Sequence, residues 1–325
     1  MSAFWSTHDY LVGEAFKLVA EGVLILSFIV SFSLLSIPRQ NLIQMVGVLV
    51  VICAALYAGP IAYQFSLRDD VFLWWVRMEG GERFQSPAVA SLSYGFALAI
   101  ALALLTQKGQ AWLKLILLMA AIVLLYAILL TKSRSALVGL TAVVFVLIYT
   151  RTPLGNRTKF LLCGLFVTSM VSFYLAMYFY HYDLLQGFYL RGLGYRGAIW
   201  SSLVCQTITD SMIFGAGMLT PFTVSLDDKL FLHGHSIYLS TFHYGGLVGI
   251  VALSILLHGL WRDWKSIPRD NGGRVTLAVC ATYSLLVLFA DGDKLIDKID
   301  MVWILFWLPV GLIAATASKP AIRSG

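Results

Sequence analysis

The chain has 325 residues, of which 59% are hydrophobic and only 12% charged, and its formal net charge is +6. Soluble domains carry about 25% charged and roughly 45–50% apolar residues. The composition therefore excludes intrinsic disorder, a secreted disulfide scaffold and an ordinary soluble enzyme, and it predicts an all-α, polytopic helical membrane protein.

A transmembrane barrel is excluded as well, because its strands alternate apolar and polar residues whereas these apolar runs are continuous. The opening residues MSAFWSTHDY lack a basic segment, a short apolar core and a small-residue cleavage site, so they do not read as a removable signal peptide. Nine candidate spans of about 20 residues follow, at 16–37, 41–63, 87–106, 111–130, 133–150, 160–180, 236–260, 274–290 and 301–317. They make residues 1–325 a single integral-membrane domain, a bundle of about nine spans. The fourth and fifth spans are separated only by Thr131, Lys132 and the start of Ser133-Arg134-Ser135, which predicts a tight helical hairpin. Two hydrophilic stretches interrupt the pattern, at 64–86 and 181–235. Cys53, Cys163, Cys205 and Cys280 are scattered singly, with no metal-binding or disulfide spacing.

Basic residues in short loops set orientation. Placing the loop after the first span in the cytoplasm gathers Arg39, Lys108, Lys114, Arg151, Arg157, Lys159, Arg262, Lys265, Arg269, Arg274, Lys319 and Arg323 on that side, opposed only by Asp263 and Asp270. The positive net charge is then a topology signal. It is not a nucleic-acid footprint, since no basic stripe with interleaved aromatics accompanies it. Both hydrophilic stretches fall on the outer face, and function is expected there.

Three constellations on that face carry chemistry. In Thr131-Lys132-Ser133-Arg134-Ser135, two cations end a span on the side that normally lacks them. Either they snorkel to headgroups, or Arg134 presents its planar fork to phosphate oxygens with Lys132 adding a point charge. In the stretch from Tyr189 to Trp200, which includes Arg191 and Arg196, the residues Ile199, Trp200, Leu203, Val204 and Ile208 recur at helical spacing. They predict an amphipathic helix at the outer interface with Arg196 near its N-terminus, either a headgroup anchor or an anion site. Phe214-Gly215-Ala216-Gly217-Met218 follows, flexible enough for close backbone approach. The third is His233-Gly234-His235-Ser236-Ile237-Tyr238-Leu239, where the chain re-enters the membrane. Histidine moves protons near neutral pH. A zinc reading of the histidine pair finds only Asp227 and Asp228 as nearby carboxylates, and His243 reads as structural. The mixed-charge segment Asp291-Gly-Asp-Lys-Leu-Ile-Asp-Lys-Ile-Asp300 and the stretch Arg77–Pro87 read as solvated loops. Two arginine sites and a histidine site on one membrane face fit a lipid pyrophosphate: the cations neutralise the leaving diphosphate and the histidine deprotonates a hydroxyl. Such chemistry needs no metal and no cofactor.

The order of these motifs resembles the bacterial O-antigen ligase/polymerase family of polytopic membrane glycosyltransferases. Thr131-Lys-Ser-Arg134-Ser-Ala-Leu-Val-Gly-Leu140 resembles its Ser-Arg helix start, and Arg196-Gly-Ala-Ile-Trp200 its Arg-x-x-x-Trp. Ile213-Phe-Gly215-Ala-Gly217 is similar to its Gly-x-Gly segment. His235-Ser-Ile-Tyr-Leu239 with Tyr244-Gly-Gly-Leu-Val-Gly249 is similar to its His-Asn-x-Tyr-Leu and trailing Gly-Leu-x-Gly. Gly81-Glu-Arg-Phe-Gln-Ser-Pro87 faintly resembles an upstream Gly-x-Phe-x-x-Pro segment, and the whole resemblance covers about 80–260. It implies a glycan donor on undecaprenyl pyrophosphate, His235 as base, Arg134 and Arg196 on the diphosphate with Lys132 and Arg191, and His233, Ser236, Tyr238 and Trp200 in support. It further implies inversion without a metal, in a bacterial inner membrane, with 181–235 as a large periplasmic loop. Ser236 stands where the family usually has Asn, Ser86-Pro87 lacks the usual Asn, and family members commonly have about twelve spans.

The expected activity is ligation of glycan to lipid A-core, with polymerisation of repeat units and protein O-glycosylation as rivals that differ only in the acceptor. Partners are then the lipid-linked donor, the hydroxyl acceptor and membrane lipid, with no nucleic acid. A transporter of lipid-linked glycan belongs to another class and should show paired broken helices or an internal repeat. Neither is visible in the sequence.

Overall fold

In hydrocarbon every backbone N–H and C=O must find a partner within the chain, and long runs of Leu, Ile, Val and Ala do so as helices. The computed structural model is accordingly mostly helical. It describes residues 12–35, 37–71, 73, 76–81, 84, 86–151, 155, 158, 164, 195–226, 229–268 and 272–317. The helices in chain order are α1 (Val12–Leu34), α2 (Arg39–Ser66), α3 (Pro87–Leu105), α4 (Ala111–Thr131), α5 (Arg134–Arg151), α6 (Arg196–Ser211), α7 (Ile237–Ser266), α8 (Gly272–Ala290) and α9 (Leu308–Ala317).

Seven of these, all but α6 and α9, are long and apolar enough to cross a membrane. Residues Trp303–Ala317 form a shorter apolar helix where the ninth span was expected. The expected sixth span, 160–180, lies outside the described residues, as do Arg191, Asp227 and Asp228. Leu26, Leu56 and Leu129 are among many large apolar side chains left exposed, a surface that suits lipid rather than water.

One departure from an all-α reading is a short antiparallel ribbon of β1 (Val224–Leu226) and β2 (Lys229–Phe231), in the register Val224↔Phe231 and Leu226↔Lys229. Another lies just before α9, where Trp303–Trp307 form a π turn. Pro309 explains it: the ring has no N–H for the carbonyl of Leu305 and crowds it, so hydrogen bonding shifts by one residue.

The chain divides into two compact units. One comprises Met1–Leu42, Tyr195–Leu277 and Ser284–Gly325, the other Ile43–Gly194 and Ala278–Tyr283. In the second unit α3 is almost wholly buried against α4 and α5. There Tyr283 gives its hydroxyl hydrogen to the carbonyl of Leu92 at 3.1 Å, directly over Gly95, where any Cβ would collide with it.

In the first unit α1 packs along α9, and α6 and α9 both pack on α7. The predicted stripe of α6 buries Ile199 and Leu203 against Phe222, Val224 and Tyr244, while Ile208 near its far end is exposed. The main break in regularity lies within α7. Gly246 has φ 59° and ψ −153°, so one span is interrupted where the sequence shows no break. The turn after α6 fills the gap. Ala216 and Gly217 donate their N–H groups to the carbonyls of His243 and Tyr244 at 2.7 and 3.1 Å. Leu247 and Val248 donate back to Met212 and Ile213 at 2.9 and 3.1 Å. The Gly-Ala-Gly and Tyr-Gly-Gly segments are therefore partners: a Cβ on Gly215 or Gly246 would run into the other segment's backbone.

Candidate functional site

Within the first unit, the starts of α6 and α7 and the end of α8 converge on two short tripeptides, His233-Gly234-His235 and Asp291-Gly292-Asp293. Arg196 is the first residue of α6, and its Nη2 lies 3.3 Å from Oδ2 of Asp291. Asp291 follows the last turn of α8 and is buried, its side chain 7% exposed. Its other oxygen, Oδ1, is 3.5 Å from Nδ1 of His235. A single buried carboxylate thus joins the arginine and the histidine that the sequence singled out. The loop 291–300 was expected to be solvated; Asp291 departs from this because a buried carboxylate is retained only beside charge partners, and here it has two.

A second pair lies beside the first. Nδ1 of His233 is 3.3 Å from Oδ2 of Asp293, whose Oδ1 accepts the Ser240 hydroxyl at 3.1 Å. Burial works against ionisation of Asp293, but the hydrogen bond and charge of His233, with Lys294 and Ser240, hold it below its ordinary value. The Asp293 hydrogen bond likewise raises His233 against the cost of its burial. Lys294 anchors the loop from the other side, donating to the carbonyl of Met218 at 3.0 Å with its ammonium over the Tyr244 ring.

Aromatic residues fix the frame. The Trp200 indole donates to the carbonyl of Gly234 at 3.1 Å, tying α6 to the histidine turn, and meets Phe289 edge-on. Tyr238 stacks obliquely on the same Phe289 and donates its hydroxyl to the carbonyl of Leu285 at 2.9 Å. His235 itself sits at φ 49°, a left-handed conformation that costs a residue with a Cβ roughly 1–2 kcal/mol. The next residue, Ser236, is fully buried at the start of α7, and its hydroxyl meets no hydrogen-bond partner among the described residues. His243 lies in the core, accepting from or donating to the Thr207 hydroxyl at 3.1 Å and packed edge-on against Phe222 and Tyr244.

Lys132 and Arg134 belong to the second unit. Arg134 is exposed and opens α5, whose N-terminus adds partial positive charge beside the guanidinium. Lys132 closes α4 in a left-handed cap, and its ammonium donates to three backbone carbonyls, Val71 at 3.0 Å, Leu73 at 2.6 Å and Val76 at 2.8 Å. Arg77 returns the bond by donating Nε to the carbonyl of Thr131 at 2.8 Å. Part of the stretch Arg77–Pro87 is therefore built into the hairpin rather than free in solvent. No group of three or more His, Cys, Asp or Glu among the described residues is placed to hold a metal ion.

Within the first unit, the motifs around Arg196, Gly215 and His235 that meet in space are also among those that resembled one family in order. A family model described as O-antigen ligase matches residues 119–254. Over those residues, which are under half of the chain, it is similar to the O-antigen ligase family. The segment runs from within α4 through α5 and α6 into α7, and it holds Lys132, Arg134, Arg196, His233 and His235. Asp291 and Asp293 lie outside it. No curated protein matches the chain. Seven apolar helices of spanning length among the described residues make it a multi-pass membrane protein, and the match supports a membrane enzyme of the O-antigen ligase/polymerase type.

Proposed function

We propose that the protein moves a glycan en bloc from undecaprenyl pyrophosphate to a hydroxyl of lipid A-core at the periplasmic face of the bacterial inner membrane. The observation that carries this reading is the meeting of Arg196 and His235 on one buried carboxylate, Asp291. A proton on Nδ1 of His235 is held toward Asp291, which leaves Nε2 with its lone pair to take the acceptor's proton. As that proton arrives the imidazole becomes cationic, and the adjacent carboxylate stabilises it. The acceptor oxygen attacks the anomeric carbon from the side opposite the phosphate, so the configuration inverts.

The leaving diphosphate needs cations. Arg196 at the start of α6 and Arg134 at the start of α5 each combine a guanidinium with a helix N-terminus, the arrangement best suited to phosphate oxygens. Arg191 and Lys132 add charge, Lys132 while also fixing the 71–76 segment through its carbonyls. Trp200 and Tyr238 hold the histidine turn in place, and Ser236 takes the place of the family's usual Asn. The stretch 181–235 faces the acceptor. Arginines neutralise the charge that a metal would otherwise carry, so the reaction proceeds without one.

The test is the glycan profile of a deletion strain carrying wild-type or His235→Asn protein. Asn tolerates the left-handed conformation at 235, so the variant separates chemistry from folding. The expected result is core without attached polymer in both the deletion strain and the variant. Single repeats on core would instead assign a polymerase, and unchanged lipopolysaccharide with unmodified glycoprotein a protein acceptor. Donor trapped in the cytoplasmic leaflet would overturn the reading in favour of transport.

A further inference from the structure

His233-Gly234-His235 and Asp291-Gly292-Asp293 pair crosswise, first histidine with last aspartate and last with first, so each imidazole has its own carboxylate. Both central glycines are required for this approach. A Cβ on Gly234 would lie 2.7 Å from the Ser240 hydroxyl and 2.9 Å from Leu203, and Gly292 has φ 98°. The two rings are 6.3 Å apart between centroids and turned 78° to one another. Inverting displacement at an anomeric carbon places its base and its acid on opposite sides of the reacting carbon, roughly 6.5–9.5 Å apart in glycoside hydrolases. The ring separation falls just below that range.

The two dyads are not equivalent. Asp291 divides its charge between His235 and Arg196 and is buried, whereas Asp293 pairs with no arginine among the described residues and serves His233 beside the Ser240 hydroxyl and the Lys294 charge. His233 is also the more open of the two, its side chain 63% exposed against 37% for His235. The second dyad is thus arranged to keep its histidine charged, whereas the first sets His235 and Arg196 against one carboxylate.

We infer that His233, held by Asp293, is a second catalytic histidine that delivers a proton to the departing diphosphate oxygen while His235 removes the acceptor's proton. The inference rests on the glycan-transfer reading above. In the step, the acceptor O–H proton passes to Nε2 of His235 and the acceptor oxygen bonds to the anomeric carbon. The bond from that carbon to the phosphate oxygen breaks, its electron pair stays on the oxygen, and that oxygen takes the proton from Nε2 of His233. His235 then releases a proton to water and His233 takes one up, so the cycle closes with only the glycan moved. The charged and titratable groups that face His233 are Asp293, Lys294 and Asp297 from the 291–300 loop and His235 from its own turn, while α7 contributes only the Ser240 hydroxyl to the dyad.

The test measures kcat/KM against pH for the full chain in lipid nanodiscs, with an undecaprenyl-diphosphate glycan as donor and a core oligosaccharide lipid as acceptor. In the wild type, activity should fall on the alkaline side as His233 loses its proton. His233→Gln should lower the rate at least tenfold and abolish the alkaline fall. His233→Lys should restore part of the rate and move that fall to higher pH, and Asp293→Asn should move it to lower pH. Retained rate and an unchanged alkaline fall in His233→Gln would overturn the inference while leaving the functional reading intact. No transfer by the wild-type chain would overturn both.

Discussion

Replacing Asp291 by Asn keeps the size of the side chain and removes the charge that joins Arg196 to His235. At 3.5 Å, and with an effective dielectric constant of about 20, a carboxylate stabilises an adjacent imidazolium by about 4.7 kcal/mol before compensation. The amide dipole and water reaching the 37%-exposed histidine return part of this, which leaves a loss of about 3 kcal/mol in the transition state. Since about 1.36 kcal/mol is tenfold, kcat/KM should fall roughly 150-fold. Arg196 is one-third exposed and its bond to Asp291 is long at 3.3 Å, so freeing it should add little to the loss and appear chiefly as a higher donor KM. The assay is glycan transfer by purified protein at saturating and limiting donor, with thermal unfolding in detergent to verify the fold. A variant within threefold of wild type in kcat/KM, folded normally and with the same pH dependence, would refute the claim that Asp291 acts on His235.

Two further expectations concern the frame of the site. Gly246→Ala forces a Cβ into the backbone of Ile213 and Gly215 at a φ/ψ reserved for glycine, and should cost about 3 kcal/mol or more, read as a large drop in melting temperature. Its neighbour Gly245 meets nothing within 4 Å, so Gly245→Ala should stay within about 1 kcal/mol; equal melting temperatures for the two variants would contradict the reading of the break. Asp300 is pushed up to about 6 by burial, from an ordinary 3.8. A raised carboxyl means that the folded state holds the proton more tightly, so stability is lost as pH rises through about 4 to 6, by about 3 kcal/mol in all. Asn at 300 can still accept the Val302 N–H, so Asp300→Asn should be more stable than wild type at pH 7 and no different at pH 4. A less stable variant at pH 7 would refute this.

What the sequence made legible was the part encoded locally. Apolar runs placed the helices, because backbone satisfaction in lipid leaves them no alternative, and Arg196, Trp200 and His235 stood out because each lies at the end of a span or an amphipathic stripe. The carboxylates did not. Sixty positions separate His233 from Asp293, and an Asp-Gly-Asp beside lysines has the composition of a solvated loop. The Gly-Ala-Gly segment was likewise read as a flexible point and Tyr-Gly-Gly as part of a continuous span, since nothing in their spacing says that one fills the gap in the other. Yet the argument that flagged Arg134 applies to Asp291 with equal force. In a chain with so little charge, a charged residue directly at the end of an apolar helix is held where that helix ends, and the ends of neighbouring spans meet in one plane. Arg196 opens α6, His235 precedes α7 and Asp291 follows α8, so the helix boundaries bring Arg196 and His235 each within about 3.5 Å of Asp291. A polar residue at a span boundary is better matched with those at other boundaries than with its neighbours in sequence, and on that criterion Asp-Gly-Asp is the natural counterpart of His-Gly-His.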